Sequence, residues 1–105
     1  MNLTKKVIVD PLAKLEFDDS VEYYESQVTG LGKRFRKEIH SGLRRIYENP
    51  ETWPVEHGEI KRYLLHTFPF KILYSIEENY IYIIAFAHCH RRPGYWIERY
   101  AYRSS

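Results

Sequence analysis

The chain has 105 residues, with 16 Lys and Arg against 14 Asp and Glu and a net charge of +2. That length excludes a second domain, because dividing the chain would leave two cores too small to be stable. A hydrophobic share of 44% excludes an intrinsically disordered chain, and aromatic residues reach 16%. We therefore expect one globular domain over residues 1–105.

The first half of the chain predicts a strand followed by two helices. Lys6–Val9 is short and β-branched, which is typical of a strand. Asp10-Pro11 favours a helix start, because Asp caps free backbone N–H groups and Pro suits the first helical position. A helix is expected from Pro11 to about Val28, ended by Gly30. A second is expected from about Lys33 to Glu48, and the short connection makes the two an antiparallel hairpin.

After Pro50 the hydrophobic period falls toward two, which is typical of strands. An irregular segment reaches Gly58. Three strands are then predicted, at Ile60–Leu65, Phe68–Ile76 and Tyr80–His88. The tail from 95 to 105 is aromatic and basic, and its pattern leaves helix and strand open. The order βααβββ predicts an α+β fold, with the helix hairpin packed on one face of a largely antiparallel sheet.

The sequence also indicates where the protein works. No apolar run approaches the roughly 20 residues that span a bilayer. Met1–Asp10 contains no long apolar stretch, so no secretory signal is expected. The single cysteine, Cys89, forbids an internal disulfide. Together these features predict a cytoplasmic protein.

His88 and His90 lie two residues apart, so on a strand they share one face. Two imidazoles suit zinc, but a structural zinc site needs about four ligands, and His57 and His66 stand alone. The sequence also lacks a glycine-rich phosphate loop, a nucleophile elbow and a zincin motif. We therefore expect neither a metal nor another cofactor.

His90, Arg91 and Arg92 form a basic run after the last predicted strand. An imidazole moves protons near neutral pH, and guanidinium groups hold phosphate through paired hydrogen bonds. Arg62 and Lys71, on neighbouring predicted strands, add positive charge to the same surface. This is the minimum set for metal-free RNA cleavage, which needs a base, an acid and a cation at the phosphate. The alternative interpretation is a solvated basic loop beside an exposed lysine.

The second predicted helix also carries a row of basic side chains. They are Lys33, Lys37, His40 and Arg44, with Arg34, Arg36 and Arg45 beside them. One interpretation is a nucleic-acid contact. The commoner interpretation of such a row is the solvent-exposed face of an amphipathic helix.

Six short motifs occur in order along the chain. They are Glu22-Tyr23-Tyr24, Gly30 to Phe35, Asn49-Pro50 with Trp53-Pro54, Arg62 to Leu64, Phe68 to Tyr74, and Ala87 to Trp96. In this order and spacing they resemble the RelE/ParE superfamily, the toxins of bacterial type II toxin–antitoxin modules, often labelled plasmid stabilisation proteins. The resemblance covers nearly the whole chain, and the fold it implies agrees with the predicted element order.

RelE-like members of this superfamily are ribosome-dependent ribonucleases that cut mRNA. By this resemblance His90 is the expected general acid, and Lys71, Arg62 and Arg91 would hold the phosphate. Leu64, however, stands where the strongest nucleases carry another lysine. A glutamate base has no secure match, so Glu56 or Glu59 would have to serve.

ParE-like members are not enzymes and poison DNA gyrase. The ending Pro93 to Trp96 looks closer to these members, which places gyrase ahead of the ribosome as the expected target. A third alternative is a module that has lost toxicity and only binds an antitoxin.

The resemblance also implies a protein partner. In this superfamily the antitoxin wraps around the toxin and covers its functional surface, so a toxin–antitoxin hetero-oligomer is expected. An exposed apolar groove is the feature that would hold such a partner. The aromatic residues expected to form it, each with core packing as the alternative, are Tyr63, Tyr82, Tyr95, Trp96 and Tyr100.

Overall fold

The computed structural model describes residues 6–104, with side chains as far as residue 101. Eight elements follow one another: β1 (Lys6–Val9), α1 (Pro11–Gln27), α2 (Leu31–Glu48), β2 (Val55–His57), β3 (Ile60–Leu64), β4 (Phe70–Ile76), β5 (Tyr80–His88) and α3 (Ile97–Ser104). The predicted N-terminal strand, helix hairpin and three later strands are confirmed. Residues 1–5 and 105 lie outside the described part, as do the predictions that involve them.

The strands form one sheet in the order β1-β5-β4-β3-β2. β1 runs parallel to β5, pairing Lys6 with Tyr80 and Val9 with Ile83. The remaining neighbours are antiparallel. The α+β architecture is therefore confirmed, with one parallel pair at the edge of a largely antiparallel sheet.

One segment differs from the prediction, and the structure of another was left open by the sequence. Val55–His57, expected to be irregular, is the short strand β2, in which Val55 pairs with Lys61 and His57 with Ile60. The strand is only three residues long, and an irregularity between these two pairs interrupts its pairing with β3. So short a segment shows no hydrophobic period of two. The tail, left open by its sequence, forms the helix α3.

The helix hairpin is fixed by side-chain caps. The Asp10 carboxylate accepts a hydrogen bond from Leu12 N at 2.8 Å, and Pro11 takes the first helical position, as predicted. At the turn, Gly30 adopts a φ of +89° that L side chains rarely take. The Glu25 carboxylate then accepts from Gly30 N and Gly32 N at 2.9 and 3.0 Å, which satisfies free donors at the start of α2.

Both faces of the sheet are covered. On one face α1 packs through Ala13, and α2 through Phe35 and Ile39. They meet a fully buried set of strand residues that includes Ile72, Tyr74 and Ile83. On the other face Trp96 packs with a second set: Ile60, Leu73, Tyr82, Ile84, Ala85 and Ala87. Burial on both sides explains why β5 is a nearly continuous apolar run rather than an alternating one.

Glu38 of α2 fastens the connection between β3 and β4. Its carboxylate accepts hydrogen bonds from the backbone N–H groups of His66 and Thr67 and from the Thr67 hydroxyl. Burial acts to raise the pKa of this carboxyl, but the hydrogen bonds outweigh burial and hold the pKa below its ordinary value.

We expect the hydrogen bonds to the Glu38 carboxylate to make the stability of the fold depend on pH. A carboxyl whose pKa is depressed in the folded state stabilises the fold above its unfolded pKa, and that contribution is lost as pH falls through the folded pKa. Below about pH 4.5 the free energy of unfolding should therefore fall more steeply in the wild type than in Glu38→Gln. Urea unfolding from pH 7 to pH 3 measures this, with the exposed Glu22→Gln as control. Parallel curves for Glu38→Gln and the wild type would contradict the assignment.

Candidate functional site

A cluster of three charged side chains lies on the sheet face opposite the helix hairpin. Lys71 projects there because its neighbours Phe70 and Ile72 point toward the hairpin. The Glu56 carboxylate on β2 lies 2.6 Å from Lys71 Nζ and 3.6 Å from Arg62 NH1. Arg62 NH1 also donates to the Val55 carbonyl at 2.7 Å. We call Glu56, Arg62 and Lys71 the charged cluster.

The charged cluster brings together two of the four residues predicted to act on a phosphate. The sequence predicts that Arg62 and Lys71, on neighbouring strands, add charge to the same surface, and alternation places Lys71 opposite Phe70 and Ile72. Glu56 is one of the two substitutes, with Glu59, that the resemblance leaves for a glutamate base without a secure match. Its carboxylate faces both cations, and the cluster keeps a net charge of one positive unit.

The other two predicted residues lie elsewhere. His88 pairs with Phe70 across the sheet on the hairpin side, with ring centroids 5.1 Å apart. The His90 ring lies 5.2 Å from the His88 ring, and His88 Nδ1 accepts from His90 N. The Arg91 guanidinium sits 3.9 Å above the ring of Tyr95. The predicted set is thus divided between two places.

The pKa of His88 is shifted from that of a surface histidine. Burial lowers its pKa, and the positive charge of a protonated His90 would lower it further. His88 is therefore neutral at physiological pH and available as the hydrogen-bond acceptor that the structure shows.

A cleft opens between α1 and the sheet beside these histidines. Its volume is about 410 Å³. The lining residues are Glu16, Asp19, Ser20, Tyr23, Tyr24, Phe70, Phe86, His88 and Arg91. Tyr23 is 59% exposed at the rim, so the cleft presents an aromatic edge together with both signs of charge.

The predicted aromatic groove is mostly core. Tyr63, Tyr82 and Trp96 are only 4%, 7% and 2% exposed, which corrects the expectation that they form an open surface. Tyr63 packs edge-on against Trp53 at 4.8 Å, and the Tyr82 hydroxyl donates to the Asp10 carboxylate at 2.7 Å. Their alternative role, core packing, is the one the structure gives them.

Tyr95 and Tyr100, the other two predicted groove residues, are partly exposed. Both pack against the second apolar set, and the Tyr95 hydroxyl donates to Glu16 at 2.6 Å. Burial and this hydrogen bond raise the pKa of Tyr95, so its hydroxyl stays protonated. Tyr95 therefore holds the tail rather than offering a free phenol.

Glu16 and Arg99 close the edge of β5. The edge needs them because pairing with β1 ends at Ile83. Glu16 Oε1 accepts from Phe86 N at 3.1 Å, and Arg99 NH1 donates to the Ile84 carbonyl at 2.8 Å. The two side chains form an ion pair at 3.2 Å and are only 15% and 12% exposed. This network ties α1, β5 and α3 together and protects strand groups that would otherwise be unpaired. No local sequence signal could reveal it, since its partners are about 70 to 83 residues apart.

The described part of the chain contains neither a cluster of metal ligands nor a membrane-spanning helix. Among residues 6–104 no group of three or more His, Cys, Asp and Glu is placed to hold a metal ion. Over the same residues, no helix has the length and apolar character that crossing a membrane demands.

Comparisons with known proteins identify the family. No curated protein matches the sequence significantly. A chain in a solved structure of the chromosomal ParDE TA system from P. aeruginosa shares the fold, with a TM-score of 0.60 and 13% identity over 80% of this chain and 95% of that chain. Residues 7–93 match the family described as the ParE toxin of the type II toxin-antitoxin system, parDE. The match spans most of the chain, and the protein belongs to this family of ParE toxins.

Proposed function

We propose that this toxin arrests growth by inhibiting DNA gyrase, in the cytoplasm, and that a cognate antitoxin neutralises it. The observation that carries the proposal is the match of residues 7–93 to the ParE toxins, since the ParE-like branch of the superfamily acts on gyrase. The geometry of the predicted nuclease residues supports the same choice.

Metal-free RNA cleavage requires a base, an acid and a cation within hydrogen-bond reach of one phosphate. Here Lys71 Nζ is held 2.6 Å from the Glu56 carboxylate, on the sheet face opposite the hairpin. The ring of His90, the expected acid, lies edge-on to the ring of His88 on the hairpin side. The expected cation and the expected acid thus lie on opposite faces of the sheet, which favours a function without this chemistry.

The cleft between α1 and the sheet supports the antitoxin part of the proposal. It combines a large aromatic rim with charged groups, Asp19 on one helix and Arg91 beyond β5. Clefts of this kind suit a peptide segment whose apolar side chain enters the cavity while its polar groups are paired at the rim. We propose that part of the antitoxin occupies this cleft in a toxin–antitoxin hetero-oligomer.

The test of the target is a supercoiling assay with purified gyrase, relaxed plasmid and increasing toxin. We expect supercoiling to be lost in the wild type and equally in Lys71→Ala and His90→Ala, because neither side chain is part of the proposed gyrase mechanism. Adding the antitoxin should restore supercoiling. Normal supercoiling at saturating toxin, in a preparation that still arrests growth, would refute gyrase as the target.

One observation favours a second candidate, a ribosome-dependent ribonuclease. The charged cluster places a carboxylate, Glu56, between two cations on one surface, which is a base beside phosphate-binding groups. Primer extension on mRNA in translating ribosomes separates the candidates. New 5′ ends within A-site codons that disappear in Glu56→Gln would assign the ribonuclease. No new ends and no growth arrest on induction would instead identify a non-toxic antitoxin-binding module.

A further inference from the structure

The outer side of α2 is a continuous cationic surface, which we call the basic face. Its six cations are Lys33, Arg34, Arg36, Lys37, Arg44 and Arg45, and all six are exposed. The ion pairs that the structure gives for residues 6–101 are Lys14–Asp18, Arg62–Glu56, Lys71–Glu56 and Arg99–Glu16, so they involve none of the six. The positive charge of this face is not balanced locally.

The two acidic residues of α2 do not change this. Glu38 turns to the β3–β4 connection, where three hydrogen bonds hold its carboxylate. Glu48, the last residue of the helix, follows Arg44 and Arg45 by one turn, and none of the ion pairs given for residues 6–101 joins it to either of them. From the start of α2 to Glu48, the exposed positions carry the six cations, His40, Ser41 and, next to Glu48, Tyr47.

The fold keeps the basic face pointing outward. Phe35, Ile39 and Ile46 are buried against the sheet, so the helix cannot rotate without exposing its apolar stripe. Eighteen residues of α-helix give a rigid row about 27 Å long. Four of the cations occupy the first two turns, where the helix dipole repels positive charge, so they do not serve the stability of the helix itself.

We propose that the basic face binds the phosphate backbone of duplex DNA. Protein interfaces are centred on apolar and aromatic anchors, and the large exposed hydrophobic residue of α2 is Tyr47, at the end of the helix. Unpaired RNA bases are held by aromatic stacking, which this face does not offer. A row of Lys and Arg suits phosphates, and an α-helix fits the major groove of B-DNA but not the deep, narrow one of duplex RNA.

The inference stands apart from gyrase, because binding is measured with DNA alone. The assay is fluorescence anisotropy of the full chain with a labelled 20-bp duplex, in KCl from about 50 to 200 mM. Each phosphate contact contributes about −0.9 to the slope of log affinity against log salt. We expect a slope of about −3 or steeper, which corresponds to phosphate contacts by at least half of the six cations.

A pair of matched double variants locates the surface. Lys37→Gln with Arg44→Gln should weaken binding at least about tenfold near 100 mM KCl and reduce the slope by about 2. Lys6→Gln with Lys14→Gln removes the same charge from exposed positions outside α2 and should leave the slope unchanged. A second pair on the basic face, Arg36→Gln with Arg45→Gln, should repeat the first result, so that a folding defect in one pair does not decide the outcome.

Four results would overturn the proposal. The first two are no duplex binding near 50 mM KCl and equal weakening of binding in the basic-face pairs and the control pair. The third is tighter binding of single-stranded or duplex RNA than of duplex DNA. The fourth is that the basic-face pairs lose binding to an acidic protein and keep binding to DNA. Because gyrase is absent from the assay, a failure here leaves the supercoiling test unaffected, and the reverse also holds.

Discussion

Glu16→Gln is expected to lower the free energy of unfolding by about 3 kcal/mol, since removing one partner of a largely buried ion pair leaves the other charge uncompensated. The Arg99 guanidinium would remain only 12% exposed, with its carboxylate partner gone. The glutamine amide oxygen still accepts from Phe86 N, which places the expected loss at the lower end of the range for such pairs. Urea unfolding followed by circular dichroism measures it.

The same change should loosen α3 before the protein unfolds. Tyr95 and Arg99 both bond to Glu16, and Trp96 lies between them in the chain. We expect the tryptophan emission to move to longer wavelength at urea concentrations that leave the far-ultraviolet signal intact. Asp18→Asn, which breaks the exposed Lys14–Asp18 pair, is the control and should cost no more than about 0.5 kcal/mol. Equal losses in the two variants would show that the Glu16 network does not fasten the tail.

Phe35→Ala is expected to cost about 4 kcal/mol, because it empties the point where α1, α2 and the sheet meet. The Phe35 ring is fully buried and lies 4.9 to 6.2 Å from four other rings, those of Phe17, Tyr24, Phe68 and Phe70. Since a domain of this size has only about 5–15 kcal/mol of stability, this variant should be close to unfolding at growth temperature. Thermal and urea unfolding measure the loss.

Tyr23→Ala provides the matched control for Phe35→Ala. Tyr23 also carries an aromatic ring in the helix hairpin, but it is 59% exposed at the cleft rim. Its loss should change stability by less than about 1 kcal/mol. If both variants unfold at the same urea concentration, the hairpin does not depend on a shared aromatic core. Tyr23→Ala should at the same time weaken antitoxin binding if the cleft is its site.

Local signals were sufficient for most of the fold. Asp10-Pro11 and Gly30 mark the helix ends, and the change of period after Pro50 marks the start of the sheet. β2 was missed because three residues interrupted by an irregularity carry no readable period. The parallel pairing of β1 with β5 also has no local signature, since it joins residues more than 70 positions apart.

The site was predictable only where a strand continues. Alternation along β3 and β4 is enough to place Arg62 and Lys71 on one face. β5, however, ends at His88, and alternation does not govern the residues beyond it. Cys89 N donates to the Pro69 carbonyl and Arg91 N to that of His88, so the backbone turns after β5, although the His90 ring still lies beside that of His88. Sequence periodicity does not encode that turn.

The pairing of β1 with β5 has a consequence for synthesis of the toxin. Lys6 meets Tyr80, and Asp10 N donates to the Ile83 carbonyl, so the first strand has no partner until the last one has been made. At about 5–20 residues per second, a ribosome needs roughly 4–15 s to cover that distance. For that interval the nascent chain lacks an edge of its sheet and the anchor of its first helix. The time at which the toxin completes its fold is thus set by translation of its own C-terminal half.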